Sequence, residues 1–120
     1  MTTILIVDDF TSSRNILEKT LTNAGYAVLK GEDGQDAIKQ FNGQKIDLVI
    51  TDLNMPNMDG LSLAQSIRDK SDYQFTPIVL LTTSTNAEQH ERATKAGITA
   101  IMKKPYDVET LLKNIKKIVR

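Results

Sequence analysis

The chain has 120 residues, with fifteen basic and fifteen acidic side chains that cancel, and no cysteine. This length fits one domain over residues 1–120, and we expect no effector domain beside it. The balanced charge argues against nucleic acid or a membrane surface as ligand, and the lack of cysteine excludes disulfides and thiolate metal sites. No apolar stretch approaches the roughly 20 residues of a membrane span, so we expect a cytoplasmic protein, and a monomer.

Short apolar runs alternate with segments of helical spacing along the whole chain. The runs predict strands at residues 4–7, 26–29, 47–51, 78–81 and 101–102. The segments between them predict helices that begin near residues 11, 34, 60, 86 and 107. In the first helix Ile16, Leu17 and Leu21 should face inward, and in the last helix Val108 and Leu111. Such alternation predicts a parallel sheet with helices on both faces.

Polar side chains stand where four of these strands end. Asp8 and Asp9 follow the first strand, Asp52 follows the third, Thr82 follows the fourth and Lys104 follows the fifth. Because the carboxyl ends of parallel strands lie along one edge of a sheet, and ligands bind outside that edge, these groups should share a pocket.

The three aspartates predict a bound cation. Two unit charges about 4 Å apart repel by roughly 4 kcal/mol at an effective dielectric constant near 20, so a fold gains nothing from such a cluster alone. Oxygen ligands without histidine or cysteine nearby suit Mg²⁺, or Mn²⁺, better than zinc or copper. Magnesium held by few carboxylates recruits phosphate oxygens. We therefore predict Mg²⁺ at Asp8, Asp9 and Asp52, with a phosphoryl group as ligand.

The phosphoryl group is not expected to arrive as part of a cradled nucleotide, because the glycines form neither a P-loop nor a dinucleotide fingerprint. A carboxylate can itself act as nucleophile and become an aspartyl phosphate. The metal and Lys104 would then neutralise charge on the transferring oxygens, and Thr82 could donate a hydrogen bond to the product.

Four motifs make the chain resemble a known family. They are Val-Asp-Asp-Phe at 7–10, Thr-Asp-Leu-Asn-Met-Pro-Asn-Met-Asp-Gly at 51–60, Leu-Thr at 81–82 and Lys-Pro at 104–105. As a spaced set they are similar to the receiver domains of two-component response regulators, most closely the single-domain chemotaxis (CheY-like) type. The resemblance covers the whole chain. It implies an α/β, flavodoxin-like doubly wound (βα)5 fold, whose five-stranded parallel sheet has the order 2-1-3-4-5.

The resemblance also implies roles for the acidic residues. Asp52 would be the phosphoacceptor. Asp9 and Asp52 would bind Mg²⁺ directly, together with the backbone carbonyl of Asn54, and Asp8 would act through water.

Further implied roles lie on the fourth and fifth strands. Thr82 would be the switch hydroxyl and Lys104 the phosphate counterion, with a cis bond between Lys104 and Pro105. The family usually has an aromatic residue where this chain has Ile101, which carries no polar group. The conformational change at the face between helix four and helix five should therefore be smaller or differently shaped. Ser84 stands where the family tunes the access of hydrolytic water.

We therefore interpret the chain as a signalling protein that receives a phosphoryl group from a histidine kinase. It should catalyse only its own phosphorylation and dephosphorylation. Its output would be altered binding to a partner through helix four, strand five and helix five, the partner being a flagellar motor switch protein if the chemotaxis resemblance holds.

Three alternatives remain open. The chain could be a relay or phosphate sink that passes its phosphoryl group to a histidine phosphotransfer protein. It could be a small phosphatase with Asp52 as nucleophile, although Asn54 cannot serve as the general acid that such enzymes usually have two residues further on. It could also be an interaction module that is never phosphorylated.

Overall fold

The computed structural model describes residues 1–83 and 86–119. Within these residues, parallel strands alternate with α-helices in one sheet of order β2-β1-β3-β4-β5, which confirms the predicted topology. The strands are β1 (Thr3–Val7), β2 (Ala27–Gly31), β3 (Leu48–Asp52), β4 (Ile78–Thr82) and β5 (Ala100–Lys103). The helices are α1 (Thr11–Asn23), α2 (Gly34–Ile38), α3 (Gly60–Arg68), α4 (Ala87–Ala96) and α5 (Val108–Val119). No helix in the described ranges is both long enough and apolar enough to cross a membrane.

The sheet separates two apolar cores, because successive side chains of a strand point to opposite faces. On β1, Leu5 and Val7 join the core beneath α2, α3 and α4, while Ile4 and Ile6 join the core beneath α1 and α5. Every residue of β3 and β4 is buried. Burial on both faces explains why these strands were recognisable as continuous apolar runs.

Two predicted core positions are wrong. Ile16 of α1 is 62% exposed and Val108 of α5 is 47% exposed. In α1 the inward face is formed by Leu17 and Leu21, which lie one turn apart, and Ile16 stands about 100° away around the helix. In α5 the buried stripe begins at Leu111.

The start of α3 lies directly against the end of β3. The Asp59 carboxylate caps the helix by accepting a hydrogen bond from the Ser62 amide at 2.8 Å, and the Gly60 amide donates to the carbonyl of Leu53 at 2.8 Å. A β-carbon at Gly60 would overlap the carbonyl oxygen of Asp52. The missing side chain therefore allows the tight connection that follows Asp52.

Arg68, the last residue of α3, joins that helix to the end of α4. Its guanidinium donates to the carbonyl of Gly97 at 2.7 and 3.1 Å, to that of Thr76 at 2.7 Å and to that of Tyr73 at 3.2 Å. These carbonyls lie in two different connections of the chain, the one before β4 and the one before β5. One side chain thus fixes the amino-terminal edge of the sheet beside β4 and β5.

Replacing Arg68 with alanine should destabilise the fold by about 2 to 4 kcal/mol, because charge-assisted hydrogen bonds are lost and the carbonyls of Thr76 and Gly97 lose the donors that the guanidinium supplies. Urea unfolding followed by circular dichroism measures this loss. The matched control is Arg92→Ala, an exposed arginine of α4, which should change stability by no more than about 0.5 kcal/mol. Equal unfolding curves for the two variants would contradict the stabilising role given to the Arg68 hydrogen bonds.

Candidate functional site

Three carboxylates meet at the carboxyl edge of the sheet, where β1 and β3 end side by side. One oxygen from each of Asp8, Asp9 and Asp52 lies within 4.8 Å of the others. Asp8 is only 5% exposed and Asp52 only 7% exposed. The parallel pairing of β1 with β3, in which Val7 lies opposite Thr51, places the residues that follow next to each other.

Lys104 joins this cluster from the end of β5. Its ammonium group forms an ion pair with Oδ1 of Asp52, and its backbone amide donates to the carbonyl of Thr82 at 2.9 Å. The bond between Lys104 and Pro105 is cis, as expected. The structure therefore brings the acidic groups, the buried Thr82 and the amine to one place.

The Asp52 carboxyl has an altered proton affinity. Burial raises the pKa of Asp52 from 3.8 to about 6, the Lys104 ammonium opposes that rise, and the nearby Asp8 carboxylate adds to it. The Lys104 contact thus only partly offsets the cost of a charge in this position. A cation that lowered the local negative potential would favour the ionised, nucleophilic form of Asp52.

The donor set fits a divalent metal ion. Oδ1 of Asp9 is buried and has no hydrogen-bond partner, although a buried carboxylate oxygen normally needs a donor or a cation. The Asp8 carboxylate is oriented by the backbone that follows it, since its Oδ1 accepts a hydrogen bond from the Phe10 amide at 2.9 Å. An all-oxygen set of Asp8, Asp9 and Asp52 suits Mg²⁺ or Mn²⁺.

A cleft of about 170 Å³ opens above Asp52. Asn54, Thr82 and Lys104 line it, and the ring of Phe10 forms part of its wall. Asn54 is exposed in the β3–α3 loop. The volume of the cleft leaves room for a phosphoryl group beside the carboxylate.

A second, larger groove begins on the other side of Lys104. It has a volume of about 330 Å³ and is lined by Ile16, Tyr106 and Pro105 among others. Burial raises the pKa of the Tyr106 hydroxyl. This groove was not predicted from the sequence, in which its one signal is the aromatic residue directly after the Lys-Pro motif.

Thr82 and Ile101, the residues expected to act in the switch, lie close to each other. Thr82, Ile101 and Gln89 line a small cavity beneath α4, and the strand pairing sets Ile101 beside Leu80. Ile101 is half-buried. Ser84, expected to affect hydrolytic water, lies outside the described residues.

Comparison with known proteins identifies the family. The model of the response regulator receiver domain matches residues 4–116. The chain belongs to this family. The receiver domain is 34% identical over 116 residues to chemotaxis protein CheY-3 of Vibrio cholerae, covering 96% of this chain and 89% of that one. It is 31% identical to chemotaxis protein CheY of Pseudomonas aeruginosa, over 96% and 94% of the two chains.

Solved structures agree with this assignment. The receiver domain superimposes on chemotaxis response regulator CheY4 of Vibrio cholerae with a TM-score of 0.93 and 38% identity, covering 98% of both chains. It also superimposes on the receiver domain of a sensor histidine kinase from Pseudomonas aeruginosa, with a TM-score of 0.90, 26% identity and coverage of 98% and 97%. The latter structure has a magnesium ion coordinated in its active-site cleft.

The raised pKa of Asp52 predicts a pH dependence of stability in metal-free protein. Between pH values of about 4 and 6 the folded protein retains a proton that the unfolded chain has released, so the free energy of unfolding falls as pH rises. Relative to Asp52→Asn, wild type should lose about 2 to 3 kcal/mol between pH 4 and pH 7, two pH units at about 1.4 kcal/mol each. Urea unfolding of both proteins at several pH values measures this loss. An equal pH dependence of the free energy of unfolding in wild type and Asp52→Asn would contradict the raised pKa.

Magnesium affinity tests the metal ligands directly. Asp9→Asn removes one negative charge and one strong oxygen ligand, and should weaken Mg²⁺ binding by about tenfold or more, equivalent to about 1.4 kcal/mol. Isothermal titration calorimetry measures the affinity. Asp72→Asn is the control, since Asp72 is an exposed acid in the connection before β4, at the opposite edge of the sheet. Equal affinity for Asp9→Asn and wild type would remove Asp9 from the site.

Proposed function

We propose that this receiver domain takes a phosphoryl group onto Asp52 with the help of Mg²⁺, and signals through the change in conformation that follows. The single observation that carries the proposal is the meeting of a buried, lysine-paired carboxylate with a buried carboxylate oxygen that lacks a partner. The magnesium-containing receiver structure from Pseudomonas aeruginosa supports the choice of metal.

In the proposed reaction, a carboxylate oxygen of Asp52 attacks the phosphorus of a phosphohistidine presented by a histidine kinase. An oxygen–phosphorus bond forms, the phosphorus–nitrogen bond breaks, and the imidazole leaves with that electron pair. Bound Mg²⁺ would neutralise charge on the phosphoryl oxygens during the transfer. We expect no turnover of free phosphoesters, because Asn54 cannot donate the proton that a leaving alcohol requires.

Lys104 and Thr82 would act on the transferred group. The Lys104 ammonium is already paired with Asp52, and it can form a new ion pair with a phosphoryl oxygen when the carboxylate becomes an acyl phosphate. The Thr82 hydroxyl lines the same cleft and can donate to another phosphoryl oxygen. Phosphorylation replaces the single carboxylate charge of Asp52 with a phosphoryl group that carries about −1.5 to −2 charges, and this group would attract both the ammonium and the hydroxyl.

The proposed output is altered binding of a partner in chemotaxis. The similarity to the chemotaxis proteins of Vibrio cholerae and Pseudomonas aeruginosa supports this pathway. We propose that the partner is a flagellar motor switch protein in the cytoplasm, which binds the surface formed by α4, β5 and α5. Ile101 lies on this surface beside the cavity that Thr82 lines.

A relay is the second candidate function. Its specific support is the similarity to the receiver domain of a sensor histidine kinase. In a relay the phosphoryl group would pass from Asp52 to a histidine phosphotransfer protein, and the conformational output would matter less.

Incubation with Mg²⁺ and acetyl phosphate tests the chemistry by intact mass. Wild type should gain one phosphoryl group, and Asp52→Asn should gain none, because the nucleophilic oxygen is replaced. Asp47→Asn is the control at the other end of β3, where Asp47 accepts from the Thr3 amide at 2.8 Å. That variant should be phosphorylated like wild type.

An adduct that forms without Mg²⁺, or that persists in Asp52→Asn, would contradict the proposed mechanism. The absence of any adduct on wild type would favour the phosphate-independent interaction module.

Binding measurements separate the two proposed roles. If the domain is a chemotaxis output, the phosphoryl mimic beryllofluoride should raise its affinity for a flagellar motor switch protein by about tenfold, a coupling of about 1.4 kcal/mol. If it is a relay, that affinity should change by less than about twofold, while phosphate moves rapidly to a purified phosphotransfer protein.

A further inference from the structure

The β3–α3 loop, residues 53–59, contacts the beginning of α2 at its tip. The Asn57 side-chain amide donates to Oδ2 of Asp33 at 3.0 Å. The other oxygen of the same carboxylate accepts from the Asp36 amide at 2.8 Å and caps α2. Both hydrogen bonds lower the pKa of Asp33, so the carboxylate stays ionised and holds both elements.

Beneath this hydrogen bond the two elements pack without space between them. Gly34 is buried, and a β-carbon there would lie 2.7 Å from the side chain and the carbonyl oxygen of Met58. Met58 in turn packs against the core that α2 and α3 share. A side chain at position 34 would therefore displace the loop.

The loop tip also has an uncommon backbone conformation. Asn57 has a φ of 70°, the left-handed region that asparagine tolerates better than most residues. The next amide, that of Met58, turns back to donate to the carbonyl of Pro56 at 2.7 Å. A conformation of this kind persists when its surroundings hold it, and the contacts with Asp33 and Gly34 do so.

The consequence concerns Asn54, which lies in the same loop. The far end of the loop is fixed by the hydrogen bond from Gly60 to Leu53, and Asn54 lines the cleft above Asp52. Met55 packs against the core within this segment, and the contact with α2 attaches its tip. Together these contacts would restrict the movement of the backbone at residue 54 relative to the carboxylates.

We propose that Asp33, Gly34, Asn57 and Met58 form a clamp, here called the α2 clamp, that positions the backbone carbonyl of Asn54 for the divalent cation. The inference rests on the proposed function, since it assumes that the cation binds at this edge of the sheet and takes the Asn54 carbonyl as a ligand, as the family resemblance implies. The clamp residues are positioning residues and touch neither metal nor phosphoryl group. Without the clamp the loop would sample more conformations, and cation binding would have to order it.

Two substitutions remove the hydrogen bond while sparing its neighbours. Asp33→Ser keeps a capping oxygen for α2, and Asn57→Gly keeps the left-handed backbone conformation. Calorimetric titration of metal-free protein with Mg²⁺, without a phosphodonor, should show a three- to tenfold higher Kd for each variant. The double variant should bind no more weakly than the weaker single variant, because both changes delete the same contact.

The matched control is Asn42→Ala. Asn42 is an exposed loop asparagine whose side chain accepts from the Gln44 amide at 3.4 Å, in the connection before β3. Its Mg²⁺ affinity should equal that of wild type. Amide hydrogen exchange in metal-free protein should be faster across residues 54–58 in the clamp variants and unchanged in the control.

Gly34→Ala tests the packing half of the clamp and should weaken Mg²⁺ binding at least as much as Asn57→Gly. A merely structural role predicts lower melting temperatures with an unchanged Kd and unchanged exchange at 54–58, and that result would overturn the inference. If wild type binds Mg²⁺ and forms the Asp52 adduct while all variants match it, only the clamp fails. If wild type neither binds Mg²⁺ nor forms the adduct, the proposed function is wrong, and the clamp inference loses its premise with it.

Discussion

The ion pair between Lys104 and Asp52 is the interaction on which the site depends. Three carboxylates each place an oxygen within 4.8 Å of the others, and Lys104 forms an ion pair with one of them, Asp52. Such a cluster is stable only when the backbone that carries it cannot move away. The fully buried β3 and β4 provide that rigidity, because separating the strands would expose continuous apolar surface to water.

The resting site carries an energetic cost that a ligand can relieve. Asp52 is held as an anion only against its burial, as its raised pKa shows. Oδ1 of Asp9 has lost its contact with water without gaining a donor. Functional sites commonly keep such unfavourable features. A cation bound among these oxygens would lower both costs. One binding event would stabilise the anionic form of Asp52 and give Oδ1 of Asp9 a partner.

Most of the fold and the placement of the site could be predicted from the sequence, because both follow from strand ends. Apolar runs located the strands, and parallel pairing then placed Asp52 and Lys104 at one edge. Helical periodicity was less reliable, since neighbouring positions such as Ile16 and Leu17 satisfy nearly the same pattern. The contact between Asp33 and Asn57 could not be predicted, because it depends on a left-handed backbone conformation that brings together residues 24 positions apart.

The hydrogen bonds of Arg68 have a consequence for the geometry of signalling. They attach the carboxyl end of α4, at Gly97, to α3 and to the connection before β4. The opposite end of α4 begins at Ala87, close behind Thr82 in the chain. A displacement of α4 that starts at Thr82 would therefore be a swing about a pivot near Gly97, largest at the amino-terminal end of the helix. A partner that binds only the displaced conformation would gain most of its selectivity from contacts with the first turns of α4.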